Sequence, residues 1–200
     1  PQHQDILKLL LPKPIAPNSS AKIETPFHVK LPYNFSRGGH IDQSYQITQW
    51  YPKPAVYDRK GWHPMPYLDQ GEFYAEFGNY EVQITLPDNY VLAATGDLQN
   101  ENEKEWLKNK KPFTREPKPK KQAQQKKNII LSQAPSSSKT KTLHYKQNNV
   151  HDFAWFADKT YTVKTDTLKL ASGKIITATV FYYSEHSENW TNSMAMIKRT

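Results

Sequence analysis

An all-β fold, antiparallel and built as a sandwich or a large twisted sheet with one C-terminal helix, is predicted by three features of this chain. Apolar and polar residues alternate with a period of two over several short segments, the pattern of strands with one buried face. Pro, Gly and Asn clusters punctuate those segments as turns. Only the last stretch changes to helical spacing, so many strands hand over to one helix.

Ile6–Leu11 reads as the first strand, with Pro12, Pro14, Pro17 and Asn18–Ser20 as its turn. Ile23, Thr25, Phe27, Val29 and Leu31 alternate with polar or charged neighbours, the clearest strand pattern in the chain. Pro26 lacks an N–H, which places that strand at an edge or turns Pro26 away from a partner. Tyr45–Trp50 alternates again. Tyr80, Val82, Ile84 and Leu86 form one face of a further strand, and Pro87–Asp88–Asn89 is expected to turn it into Tyr90–Thr95 as a hairpin. Strands resume at Lys141–Lys146, around Phe153–Ala157, at Tyr161–Lys164 and at Lys174–Tyr183. Trp190, Met194 and Ile197 then sit at helical spacing, predicting a helix over Ser184–Arg199. Ser184 would cap it, and Glu185, Glu188, Lys198 and Arg199 suit its dipole.

Between Asn100 and Thr142 the composition shifts to Lys, Gln, Pro and Ser, predicting a long solvated, disordered-like insertion over 100–140 in which only Ile129–Leu131 suits a sheet. This span also holds the charge. The net charge is +8, and the span carries twelve Lys or Arg against four acids, leaving fifteen of each sign elsewhere. A basic loop on a neutral body argues against a nucleic-acid partner, because binding needs a basic face. Mean hydropathy of −0.84 agrees with a sizeable solvated segment. No apolar run reaches membrane-spanning length, and nothing at the N-terminus has the form of a signal peptide. With no cysteine, disulfides, Cys-ligated zinc and thiol nucleophiles are excluded.

Motifs for chemistry are sparse. The sequence has no H-E-x-x-H, no G-x-S-x-G, no P-loop and no dinucleotide fingerprint. His144, His151 and Asp152 are close in sequence but converge as metal ligands only if the fold brings them together. Asp58, Asp69, Glu72 and Glu76 could supply a carboxylate pair, though a solvated face explains them as well. The aromatic cluster is more informative. Nine aromatics fall between Trp50 and Tyr80, suited to core packing or to a platform for a sugar ring or peptide side chain. Pro52, Pro54, Pro64 and Pro66 stiffen the loop that presents them. A free-standing carbohydrate- or peptide-binding module is therefore the alternative reading, with Trp50 and Trp62 expected side by side on an exposed face.

Three segments occur in one order: QWYPKPAVYDRKGWH at 49–63, GEFYAEFGNYEVQITLPDNYVLAATG at 71–96 and VHDFAWFAD at 150–158. Together they resemble the N-terminal β-domain of the aminopeptidase N-like zinc metallopeptidases, gluzincins of the Bacteroidetes type. The resemblance covers roughly Ile6–Leu98 and Lys141–Tyr183. It implies a saddle-like β-domain that packs on a thermolysin-like catalytic domain and lends one wall to the substrate cleft. It also implies that a Thr-Gln step, followed one residue later by Gln or Glu, lines the first substrate pocket and holds the peptide's amino terminus. Thr48–Gln49 matches that step, and Tyr51 stands where the second Gln or Glu is expected. Gln49 and Tyr51 are thus the candidate substrate-binding residues, and Asp58 a structural one.

On this resemblance the chain is expected to be a piece of a longer polypeptide: a partial β-domain over 1–183, then 184–200 leading toward a catalytic domain. Zinc, the catalytic residues and the metal ligands are expected on that domain, leaving no cofactor, catalytic residue or metal ligand here. The implied partners are the thermolysin-like domain and a peptide substrate. The resemblance further implies export to the periplasm or cell surface, a compartment that composition alone does not determine.

Overall fold

The computed structural model describes residues 5–68, 70–71, 73–112, 135–183 and 188–199. In chain order the strands are β1 (Gly39–Ile41), β2 (Ser44–Ile47), β3 (Val56–Asp58), β4 (Gly61–His63), β5 (Gly78–Pro87), β6 (Val91–Ala94) and β7 (Asp97–Leu98). Helix α1 (Glu101–Asn109) comes next, then β8 (Thr140–Val150), β9 (Trp155–Asp158), β10 (Tyr161–Lys169), β11 (Ile175–Tyr183) and α2 (Ser193–Ile197). The ladders between these strands are all antiparallel.

Two sheets make the sandwich. One has the order β1-β2-β9-β6 and the other β5-β8-β7. Their facing sides build one core from Ile84 and Leu86 of β5, Leu143 and Tyr145 of β8, Leu92 of β6 and Ala157 of β9, with Tyr90 and Phe153 beside them. The alternation read along β5 is the observed one: Tyr80, Val82, Ile84 and Leu86 turn inward while Glu81, Gln83 and Thr85 are exposed. Tyr145 brings a hydroxyl into this core and donates it to the Leu92 carbonyl at 3.0 Å, across the two sheets. Burial raises its pKa above the usual phenol value, so it stays a neutral donor.

The segment read as a hairpin after β5 is instead a crossing between sheets. β5 pairs with β8, and β6 pairs with β9. The turn at Asp88–Asn89 is held from the side by the chain entering β8. The Asp88 N–H donates to the Lys139 carbonyl at 3.0 Å, and the Asn89 side chain bonds the backbone of Pro135 and Ser137 at 2.9 and 3.1 Å. Gly96 makes the next turn possible. Its φ is +90°, and a Cβ there would lie 2.5 Å from the Lys146 carbonyl oxygen on β8, so only glycine fits.

The span from Asn100 to Thr142 differs from its expectation at its start, where α1 replaces solvated coil. The helix holds by polar contacts with β8, which a search for apolar periodicity misses. Asn100 accepts the His144 N–H at 2.7 Å, and buried Glu103 pairs with Lys141 at 2.6 Å. The Lys141 ammonium also lies 4.0 Å from the Trp106 ring centroid, a cation–π contact. Ile129–Leu131 lies outside the described residues, as do Ser184 and Glu185 of the expected C-terminal helix. The described part of that region is a short 3₁₀ turn at 188–190 and the five-residue α2. Trp190 stacks on Tyr182 of the long β10–β11 hairpin, with centroids 6.3 Å apart.

The two N-terminal strand expectations also differ from the structure. Ile6–Leu11 and Ile23–Leu31 join no ladder among the described residues. Phe27 reaches Trp50, with centroids 6.1 Å apart, but Ile23, Phe27 and Val29 remain exposed.

Candidate functional site

The site is built where the chain leaving β2 meets the chain joining β8 to β9, at one end of the sandwich. Thr48 fixes the approach by donating its hydroxyl to the Arg37 carbonyl at 2.7 Å. Gln49 then takes φ +52°, a left-handed conformation that a non-glycine residue holds only when its surroundings enforce it. Trp50 is one such constraint. Its ring packs against the core, and its indole N–H donates to the Phe153 carbonyl at 3.0 Å. Because Trp50 turns inward, Gln49 and Tyr51 on either side of it both reach Asp152.

Asp152 is the centre of the cluster. One carboxylate oxygen accepts from Gln49 Nε2 at 2.7 Å. The other accepts from the Tyr51 hydroxyl at 3.0 Å, the Phe153 N–H at 2.8 Å and the Lys53 ammonium at 2.8 Å. The Gln49 carbonyl oxygen accepts from the same ammonium at 2.9 Å. The Tyr51 and Tyr80 hydroxyls lie 2.8 Å apart. A carboxylate only accepts, so the single Tyr51 proton goes to Asp152 and Tyr80 donates to Tyr51. Burial, with the charge of Asp152 and the hydrogen bond donated to it, pushes the Tyr51 pKa well above the usual phenol value. Tyr51 is therefore a neutral donor, with its polar atom engaged inside the protein.

The structure thus brings Gln49 and Tyr51 together on one carboxylate. It adds two residues that sequence reasoning did not assign to the site, Lys53 and Asp152. The signal for Asp152 was present in VHDFAWFAD, but nothing in sequence order connects it to a residue 103 positions earlier. Lys53 lies between two prolines, as if only a spacer.

The other candidates separate. His63 Nε2 lies 2.8 Å from Asp58, which also accepts the Lys60 N–H at 2.8 Å and so closes the β3–β4 turn. These contacts, led by the His63 hydrogen bond, lower the Asp58 pKa. Glu76 is exposed, and Asp69 and Glu72 lie outside the described residues. His144 Nε2 comes to 2.9 Å from Glu81 but outside hydrogen-bond geometry, while His151 faces the Phe77 ring at 5.5 Å. Among the described residues, no three His, Asp or Glu side chains converge as metal ligands. Trp50 and Trp62 are not side by side either. Trp50 packs against the core, and Trp62 is 67% exposed on the β3–β4 hairpin, its ring tilted against Tyr57 with centroids 4.9 Å apart. Among the described residues, no helix is long and apolar enough to cross a membrane. Comparison of the chain with protein-family models, curated proteins and solved structures finds no match.

Proposed function

We propose that this chain is the N-terminal β-domain of a zinc-dependent aminopeptidase-like metallopeptidase. In this role it lends one wall to the substrate cleft and positions the first residue of a peptide. The observation that carries the proposal is Gln49. It stands in the Thr-Gln step of the resemblance, and its backbone is held left-handed so that its carbonyl oxygen meets an ammonium 2.9 Å away. A carboxamide oxygen aimed at a primary ammonium is the contact that recognition of a peptide N-terminus requires. The antiparallel sandwich is the scaffold that presents the two loops carrying Gln49 and Asp152. Zinc, the general base and the attacking water belong to a thermolysin-like catalytic domain of the same polypeptide, so no bond-making step is assigned to these residues.

The test uses the polypeptide encoded by the whole reading frame. That frame should contain H-E-x-x-H downstream with a later glutamate. The protein should cleave aminoacyl anilides with a free amine, and a chelator should abolish that activity. Gln49→Ala should raise KM for these substrates by roughly ten-fold or more, the worth of about one charge-assisted hydrogen bond. A frame without the motif, or a Gln49→Ala protein with unchanged KM, overturns the proposal.

A further inference from the structure

The Lys53 ammonium is recognised more completely than an ordinary surface lysine. It lies 2.9 Å from Gln49 Oε1 and 2.8 Å from Asp152 Oδ1. The Tyr51 and Phe73 ring centroids are 5.3 and 6.0 Å away. Two oxygen acceptors and two aromatic faces around one point form a cage for a cation, and acceptors of hydrogen bonds select an N–H-bearing one. The side chains of Lys53 and Asp152 are only 17% and 22% exposed, so the contacts are made largely out of water, where they count for more.

Two features distinguish this cage from an ion pair that merely holds the fold. First, Asp152 does not depend on Lys53. With the ammonium removed it still accepts from Gln49 Nε2, the Tyr51 hydroxyl and the Phe153 N–H, so its charge is not left without donors. Second, the occupant is less fixed than its cage. Lys53 sits between the exposed Pro52 and Pro54, on a flexible four-carbon stem, while Tyr51 and Asp152 are tied to the core and to β5 through Tyr80 and Phe153.

We propose that Gln49, Asp152, Tyr51 and Phe73 form a binding site for a primary ammonium, and that Lys53 is its tethered occupant, which an incoming amine displaces. The ligand class is a primary alkylammonium. Naming the natural one as the α-ammonium of a peptide rests on the function proposed above; the cage and its plug do not. Asp152 then supplies the negative charge that Tyr51, standing at the position where Gln or Glu is expected, does not. A tether of this length competes at an effective concentration on the order of millimolar, so Lys53 would reject weak amines and admit only ligands that gain contacts elsewhere.

The experiment compares the 200-residue chain with its Lys53→Ala and Lys53→Met variants. The probes are ethylammonium, phenylalaninamide and N-acetylphenylalaninamide at matched ionic strength, read by thermal shift and by titration calorimetry. Both variants should gain a saturable rise in Tm with ethylammonium. They should also bind phenylalaninamide about ten-fold or more tighter than the parent chain, the gain that follows when the plug fills the cage about nine-tenths of the time or more. The acetylated probe should do nothing, and adding Asp152→Asn to Lys53→Ala should abolish the gain. No saturable gain in either variant, or an equal gain with the acetylated probe, overturns the proposal. Should both variants fail to fold, the Lys53 side-chain ammonium resonance of the parent chain provides the readout: excess phenylalaninamide should shift it, and an unmoved resonance overturns the proposal. Ethylammonium binding without phenylalaninamide binding keeps the cage and overturns the peptide assignment. None of these readouts involves zinc or hydrolysis, so failure of the metallopeptidase proposal would leave them unchanged.

Discussion

β5 and the segment Ile23–Leu31 carry the same alternating pattern and meet opposite fates. In β5, Ile84 and Leu86 are buried and the backbone runs in register with β8 from Pro87↔Thr140 to Tyr80↔Gln147, with a register shift before Gly78↔Val150. In the N-terminal segment Ile23, Phe27 and Val29 are exposed, and no ladder forms among the described residues. The difference lies in the partner, not in the pattern. Alternation makes a segment able to present one apolar face, whereas a strand exists only when a neighbour takes its backbone N–H and C=O groups. β8 also supplies the opposing apolar residues Leu143 and Tyr145.

Substitutions on β8 test this contrast most severely. Lys141→Ala should remove the partner of buried Glu103 and unseat α1, lowering stability by roughly 3–5 kcal/mol in urea unfolding, as removal of one member of a buried pair does. Leu143→Ala, at 2% exposure, should rank second with a loss of about 2–5 kcal/mol. Gly96→Ala should come next, at roughly 1–3 kcal/mol from its left-handed backbone and the approach of the Lys146 carbonyl. Val29→Ala, in the unpaired segment, should change stability by less than about 0.5 kcal/mol. A Val29→Ala loss comparable to Leu143→Ala would show that the N-terminal segment is paired in solution.

Hydrogen exchange reads the same difference without mutation. β5 lies at the edge of its sheet, so within Val82–Leu86 the alternate amides that bond β8 should be protected, while those of Ile23–Leu31 should exchange at nearly the rate of an unfolded chain. The smallest effect is on acid stability. The pKa values of Asp58, Glu81 and Asp166 are lowered, chiefly by hydrogen bonds from His63, Lys146 and Lys198. Folded values below the ordinary 3.8 and 4.5 mean that their contribution is present above those values and lost as pH falls through the depressed ones. Because all three groups are exposed, the decline in Tm below about pH 4.5 should be shallow. A decline that begins near neutral pH would point to a histidine instead.

Much of the fold was legible: β5 lies where period two predicts it, and β8, β9, β10 and β11 overlap the segments expected as strands, β8 and β10 running longer. α1 was not, because Glu103 and Lys141 hold it by charge and Trp106 by a cation–π contact, none of which leaves a periodic trace. The β5–β6 hairpin was misread because a Pro-Asp-Asn turn signals that the chain reverses and not which sheet it enters. At the site, Gln49 and Tyr51 were legible through their neighbours in sequence. Asp152 and Lys53 were not, since their role comes from convergence.

Which segments can be strands, where the chain must turn and where charge collects are properties of the sequence alone, because they follow from side-chain period, backbone restriction and composition. Which strands pair, and that one carboxylate in a distant loop gathers Gln49, Tyr51 and Lys53, were decided only by tertiary structure. The physical reason is that pairing and convergence depend on distances between residues far apart in the chain, and those distances exist only once a shared core has brought two sheets face to face.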